Sequence, residues 1–129
     1  TIPNCVTNIG DYAFCNCSTI TNVIIGNVVE SIGDYAFAYC NELTNVTIGN
    51  SVASIGSWAF GECNSLINIT IPGSVKNIEV SVFSGCISLK SIIFNGTKVQ
   101  WNTINKDFLW NDGIDDITVH CTDGDITTN

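Results

Sequence analysis

Starting at Ile2, the apolar positions of the chain return every 23 residues. Ile2, Ile25, Ile48, Ile71 and Phe94 form one column, and Val6, Val29, Val52 and Val75 a second. Ile9, Ile32, Ile55 and Ile78 form a third, and Phe14, Phe37, Phe60 and Phe83 a fourth. Cys17, Cys40, Cys63 and Cys86 follow the same step, as do Ile20, Leu43, Leu66 and Leu89, and Val23, Val46, Ile69 and Ile92. Between the columns lie Asn, Thr, Ser, Gly and Asp. A unit this short cannot bury its apolar face alone, but a stack of such units can. The pattern predicts one domain: four coils over residues 1–94, closed by a divergent capping segment over 95–129.

Within a coil the period changes. "LTNVTI" (Leu43 to Ile48) puts Val46 and Ile48 on one side and Thr47 on the other, which is the alternation of a strand. "GN" or "PG" then makes a turn. "SVASI" carries Val52 and Ile55 inward. "GSWAFGEC" places Ala59, Phe60 and Cys63 on one face at helical spacing, with Ser57, or Asp11 and Asp34 in its place, as N-cap. One or two turns of α- or 3-10 helix are expected there. The fourth coil departs from the others, with Glu79 in the glycine column and Val82 in the alanine column. A glutamate there indicates that the glycines serve close packing and not a positive φ.

The motif L-x-x-V-x-I followed by V-x-x-I-G-x-x-A-F-x-x-C resembles the BspA-like leucine-rich repeats, a 23-residue class on surface proteins of bacteria and some protozoa. The resemblance covers Thr1 to about Phe94, and "GTKVQW" and "VHCTDGD" are similar to closing segments of such proteins. It implies an α/β repeat fold: a right-handed solenoid with a concave parallel sheet and short helices on the convex side. It also implies a secreted or cell-surface location and adhesion to host extracellular proteins, the host extracellular matrix included, or to other cells.

Beyond Phe94, Thr97 and Gln100 fit a capping box, opening a short helix with Val99, Trp101 and Ile104. "DITVHC" (Asp116 to Cys121) alternates like a strand that extends the sheet or crosses the last coil. Trp101, Phe108 and Trp110 read as a lid over the open core, with an aromatic ligand platform as the alternative. Coil one begins abruptly at Thr1, without methionine, which reads as a fragment or processed form. Its uncapped face then belongs either against removed upstream repeats or against another chain in a weak dimer, the protein otherwise being a monomer.

Composition narrows the partners. The chain is 45% hydrophobic and 12% charged, with a net charge of −8 from four lysines and no arginine. Phosphate backbones need basic clusters, so nucleic acid is excluded as a partner, and an anionic membrane surface equally. No apolar run approaches the roughly 18–20 residues of a membrane span, so membrane insertion is not expected.

The cysteine column raises the question of metal. Four sulfurs around zinc would lie about 2.3 Å from one point. Stacked coils hold Cys17, Cys40, Cys63 and Cys86 in a row at about 4.8 Å spacing, with Cβ atoms too far apart for disulfides. The column reads as a ladder of buried free thiols. Cys5 and Cys15 fall in columns that face outward, and Cys121 lies outside the ladder. His120, the only histidine, cannot pair with Cys121, because neighbours on a strand point to opposite faces. No nucleophile elbow, phosphate loop or zinc-protease motif is present, so no catalytic residue, metal site or cofactor is expected and a metal-dependent enzyme is the weakest reading. Asn111-Asp112-Gly113 with Asp115 and Asp116, and Asp123-Gly124-Asp125, offer oxygen ligands for calcium, but not at EF-hand spacing. A solvated acidic loop is the better reading. Asn16, Asn45, Asn68 and Asn95 open N-x-[ST] sequons, relevant only in a eukaryotic secretory path.

These readings leave the sheet's outward residues as the binding face: Asn22, Ile24, Asn45, Thr47, Asn68, Thr70, Ser91 and Ile93. The face is small, neutral and hydrogen-bonding. It suits weak, repeated contacts to a protein or glycan surface, with a structural spacer between other domains as the alternative.

Overall fold

The computed structural model describes residues 1–114 and 116–128. The chain winds through β1 (Asn8–Ile9), β2 (Asn22–Ile24), β3 (Ser31–Ile32), β4 (Asn45–Thr47), β5 (Ser54–Ile55) and β6 (Asn68–Pro72). It continues through β7 (Asn77–Ile78), β8 (Ser91–Asn95), α1 (Lys98–Thr103), β9 (Asn105–Lys106), β10 (Ile117–Cys121) and β11 (Gly124–Thr128). The longer strands form a main sheet in the order β11-β10-β8-β6-β4-β2, and the two-residue strands a minor sheet in the order β1-β3-β5-β7-β9. Every pairing is parallel except β10 with β11. This is the parallel-sheet solenoid expected from the columns, of about five turns.

Register follows the 23-residue step. Asn22 pairs with Asn45, Asn45 with Asn68, and Asn68 with Ser91. Side chains one residue on, Val23, Val46, Ile69 and Ile92, fill the interior together with the Leu, Ile, Val and Phe columns, nearly all under 6% exposed. The Phe14, Phe37, Phe60 and Phe83 rings stack face to face at 5.1, 5.4 and 6.1 Å. Like side chains in one column meet at one level of each coil, so each ring covers the one before it.

The convex arcs are not helices. Among the described residues α1 is the only helix, and "GDYAFAYC" and its copies are chains of tight turns. Two positions in each arc have positive φ: Tyr12, Tyr35, Trp58 and Ser81, then Asn16, Tyr39, Glu62 and Gly85. A left-handed residue costs about 1–2 kcal/mol in a non-glycine chain and interrupts a helix wherever it falls. The hydrogen bonds explain why it is tolerated. Ala36, Ala38 and Cys40 donate back to Gly33, Tyr35 and Phe37 within the coil, while the alternate amides of Tyr35, Phe37 and Tyr39 donate to Ser57, Ala59 and Gly61 of the next. The arcs therefore form a third ladder between coils. A helix would turn those amides inward along its own axis and lose it.

The same geometry corrects the N-cap assignment. The Asp11 carboxylate accepts from the Asp34 amide at 2.8 Å, and Asp34 from the Ser57 amide at 2.9 Å. These acids tie successive coils together and cap nothing in their own. The glycine beside them is a packing glycine: a Cβ on Gly33 would lie 2.5 Å from Asp11 Oδ1, and one on Gly56 2.6 Å from Asp34 Oδ1. Glu79 fits the same column in coil four, where the residue beneath is Ser57, which has no carboxylate.

The column of Cys15, Ala38, Gly61 and Ser84 was expected to face solvent. Instead Ala38 is fully buried and Cys15 half-buried. An outer aromatic rib runs along the same arcs: Tyr12 stacks on Tyr35 at 4.9 Å, and Tyr35 on Trp58 at 5.7 Å. The Trp58 ring sits where a Cβ on Gly61 would go. Cys5 is exposed, as its column predicts.

Stacking continues past Phe94 although the sequence columns do not. Asn77 pairs with Asn105 and Ser91 with Thr118, steps of 28 and 27 residues. Helix α1 absorbs the longer path. Its capping box is formed: the Thr97 side chain accepts from the Gln100 amide, and the Gln100 side chain from the Thr97 amide. Lys106 closes the other end, its Nζ donating to the Trp101 carbonyl at 2.7 Å and to that of Ile104 at 3.3 Å, 5.0 Å over the Trp101 ring. Burial pulls its pKa down. Trp101 and Trp110 form the lid. Phe83 meets Trp110 edge to face at 6.3 Å, Trp110 meets Trp101 at 5.6 Å, and Trp101 meets Phe94 at 5.2 Å. Phe108 is not part of the lid. It is 86% exposed, and Val99 on α1 is 69% exposed. At the opposite end Ile2, Val6, Ile9, Phe14 and Val23 line an open apolar hollow of about 590 Å³.

Candidate binding face

Strand alternation sends every second residue of the main sheet out of the core. The eight residues read as the face all lie there. Asn22, Ile24, Asn45, Thr47 and Ile93 are exposed, and Asn68, Thr70 and Ser91 half-buried. They form two straight rows. One runs Asn22, Asn45, Asn68, Ser91 and the other Ile24, Thr47, Thr70, Ile93, with neighbours in direct register. Rows in such a sheet step by about 4.8 Å between strands and lie about 6.6 Å apart along a strand.

The rows are longer than the repeat columns. Thr118 pairs with Ser91 and His120 with Ile93, and the hairpin partner strand places Thr127 opposite Thr118 and Asp125 opposite His120. Sequence columns could not reach these four residues, because the 23-residue step is lost after Phe94. The alternation of "DITVHC" was the available signal, and it named the strand but not its face.

Several polar side chains elsewhere hold the coils together. Ser31 donates to Asn8, Asn105 to Asn77, and the amides of Asn27 and Asn50 to the side chains of Asn4 and Asn27. On the face, Asn22, Asn45, Asn68, Thr47, Thr70, Ser91 and Thr118 have no side-chain hydrogen bond within the described residues. Asn22, Asn45 and Thr47 among them are exposed, beside isoleucines at Ile24 (43% exposed) and Ile93 (39%). Such a surface can make many parallel weak hydrogen bonds to a flat partner and offers no deep pocket.

The remaining chemistry is structural. All seven cysteines are free, and Cys40, Cys63 and Cys86 are fully buried. Burial, and then the neighbouring Cys63 thiol, push Cys40 up to about 12. Hydrogen bonding with Cys86, then burial, raises Cys63 further. Neither is a thiolate at neutral pH, so neither is a nucleophile. Cys121 is raised as well, mainly by burial and then by Asp123. Of the acidic residues read as calcium candidates, Asp115 lies outside the described residues. Asp123 accepts from the Lys98 amide at 2.9 Å, and Asp125 Oδ1 lies 3.0 Å from His120 Nδ1. Among the described residues no helix is long and apolar enough to cross a membrane.

The arrangement matches known solved structures. A leucine-rich cell surface protein from Faecalibacterium prausnitzii A2-165 aligns with a TM-score of 0.63 and 29% identity over 82% of this chain. A leucine-rich repeat protein from Bacteroides ovatus ATCC 8483 aligns at 0.66 and 33% over 74%, and a T. pallidum leucine-rich repeat protein at 0.50 and 25% over 68%. The chain spans 34%, 26% and 52% of those three proteins. No curated protein matches it. The pattern of the BspA type leucine-rich repeat region matches residues 1–129, in six copies. With its repeat, its stacked coils and its full-length match, the chain belongs to the BspA type leucine-rich repeat family.

Proposed function

We propose that the chain is a non-catalytic protein-binding module of a secreted or cell-surface leucine-rich repeat protein, and that it binds through the outer face of its main sheet. One observation carries the reading: the polar side chains of that face are aligned in register and make no side-chain hydrogen bond among the described residues, while several polar side chains elsewhere bond coil to coil. The cell-surface description of the F. prausnitzii protein supports the location. The absence of Trp, Tyr and Arg anchors on the face makes the contact broad and weak. Adhesion through many copies would then come from avidity.

The test is binding of the purified chain to arrays of extracellular matrix proteins and of glycans. The triple variant Asn45→Arg, Thr47→Arg, Thr70→Arg should abolish capture by the protein array while leaving the circular dichroism spectrum unchanged. Unchanged capture would refute the face. Capture by neither array in the wild type would favour the alternative, a spacer within a longer surface protein.

A further inference from the structure

The two rows of the face pass through the cap without a break. The first is Asn22, Asn45, Asn68, Ser91, Thr118, Thr127, and the second is Ile24, Thr47, Thr70, Ile93, His120, Asp125. Of these twelve residues only His120 and Asp125 ionise. They are cross-strand partners, with Nδ1 and Oδ1 3.0 Å apart and side chains 47% and 58% exposed. The face is therefore neutral along the coils and anionic at its cap end, on a chain of net charge −8.

We infer that the hairpin β10–β11 is the cation-recognising end of the binding face: Asp125, held by His120, receives a lysine or arginine of the partner. The inference rests on the binding-face reading above. Charge complementarity selects a basic segment, because an acidic one meets repulsion both from Asp125 and from the chain as a whole. Asp125 uses one carboxylate oxygen on the imidazole, leaving Oδ2 for an incoming ammonium or guanidinium. His120 is a positioning residue. It fixes the rotamer of Asp125 and takes no part of its own in the contact.

The other charged groups at the hairpin are Lys98 of α1, which lies against Gly124, and Asp123, which accepts from the Lys98 amide, while β8 presents Ser91 and Ile93. The site is exposed, so the expected effect is several-fold.

Isothermal titration with hexalysine tests this directly. Asp125→Asn should bind about two- to fivefold more weakly than wild type, and Glu42→Gln, an exposed acid away from the face, should not. His120→Gln should lose part of that margin, and the double variant should lose no more than Asp125→Asn alone. An Asp125→Asn affinity no lower than that of Glu42→Gln, or losses that add in the double variant, would overturn the inference. Its failure is separable from that of the face: array capture lost in the triple arginine variant but unaltered by Asp125→Asn sinks the cap-end role alone.

Discussion

Cys63 donates its thiol hydrogen to the carbonyl oxygen of Phe37 in the preceding coil at 3.2 Å. Cys40 does the same to Phe14 at 3.3 Å and Cys86 to Phe60 at 3.0 Å. Each of these carbonyls also accepts the amide of the cysteine in its own coil, such as Cys40 to Phe37 at 3.4 Å. The thiol thus meets the second lone pair of that oxygen, in a buried setting at Cys63 and Cys86 and a half-buried one at Cys40. A small, largely apolar side chain with one weak donor fits the position, and this accounts for a cysteine recurring there.

Removing one rung should therefore cost more than its size. Cys63→Ala deletes a buried sulfur and leaves the Phe37 carbonyl with one partner, an expected loss of about 1–2 kcal/mol. Cys63→Val fills the volume without the donor and forces an extra methyl against the stack, for about 1–3 kcal/mol. Urea titration reads both. An alanine variant as stable as the parent would show that the thiol hydrogen bond contributes nothing.

Alkaline pH should loosen the fold through its buried thiols. Cys40 titrates at about 12 in the folded chain against an ordinary 9.0, and Cys63 is raised as well. Above pH 9 the unfolded chain releases these protons and the folded chain holds them. Stability is complete below pH 9 and falls as pH rises toward 12, by up to about tenfold in the unfolding constant per pH unit for each thiol. Urea midpoints at pH 8, 9, 10 and 11 should fall progressively. In Cys40→Ala the fall should be shallower, and an identical slope would assign the effect to other groups.

Gly56 and Gly10 occupy one column and should respond oppositely to the same change. Gly56→Ala places a Cβ 2.6 Å from Asp34 Oδ1 and 2.7 Å from the Asp34 amide nitrogen, so backbone must move. Gly10 has nothing within 4 Å of its Cβ position, and neither residue has a positive φ. Gly10→Ala should be neutral or slightly stabilising through the unfolded chain. Gly56→Ala should lower the melting temperature by several degrees, as a strain of about 1–3 kcal/mol does in a chain this size. Equal melting temperatures would remove close approach as the reason for the column.

The repeat made the coil, its register and its core legible, because the same seven positions of every 23-residue step had to be apolar for the stack to close. Glu79 alone sufficed to separate packing from φ in the glycine column. What stayed hidden depended on contacts between coils. Ala59, Phe60 and Cys63 have helical spacing whether the intervening amides bond along one coil or across two, so the arcs read as helices. Cys15 reads as outward by position, but its column is buried at Ala38 and half-buried at Cys15, and the Trp58 ring fills the space beside Gly61. On the face, His120 and Asp125 lie five residues apart across a hairpin, beyond the reach of any 23-residue column.

The lid is most directly tested by two aromatic residues of one loop. Every phenylalanine ring in the column is parallel to its neighbour within 17° and would accept another ring on its open face. Trp110 meets Phe83 at 77° and Trp101 at 73°, so the stack ends on ring edges instead of another flat face. Trp110 is 8% exposed and Phe108, two residues earlier, is 86% exposed. Trp110→Ala should cost about 3–5 kcal/mol by opening the end of the core and should increase binding of a hydrophobic dye. Phe108→Ser should change stability by no more than about 0.5 kcal/mol, as surface substitutions do, and should reduce self-association if it changes anything. Comparable losses from both substitutions would mean that Phe108 also closes the core in solution, and the lid would then consist of three aromatic rings, as the sequence predicts.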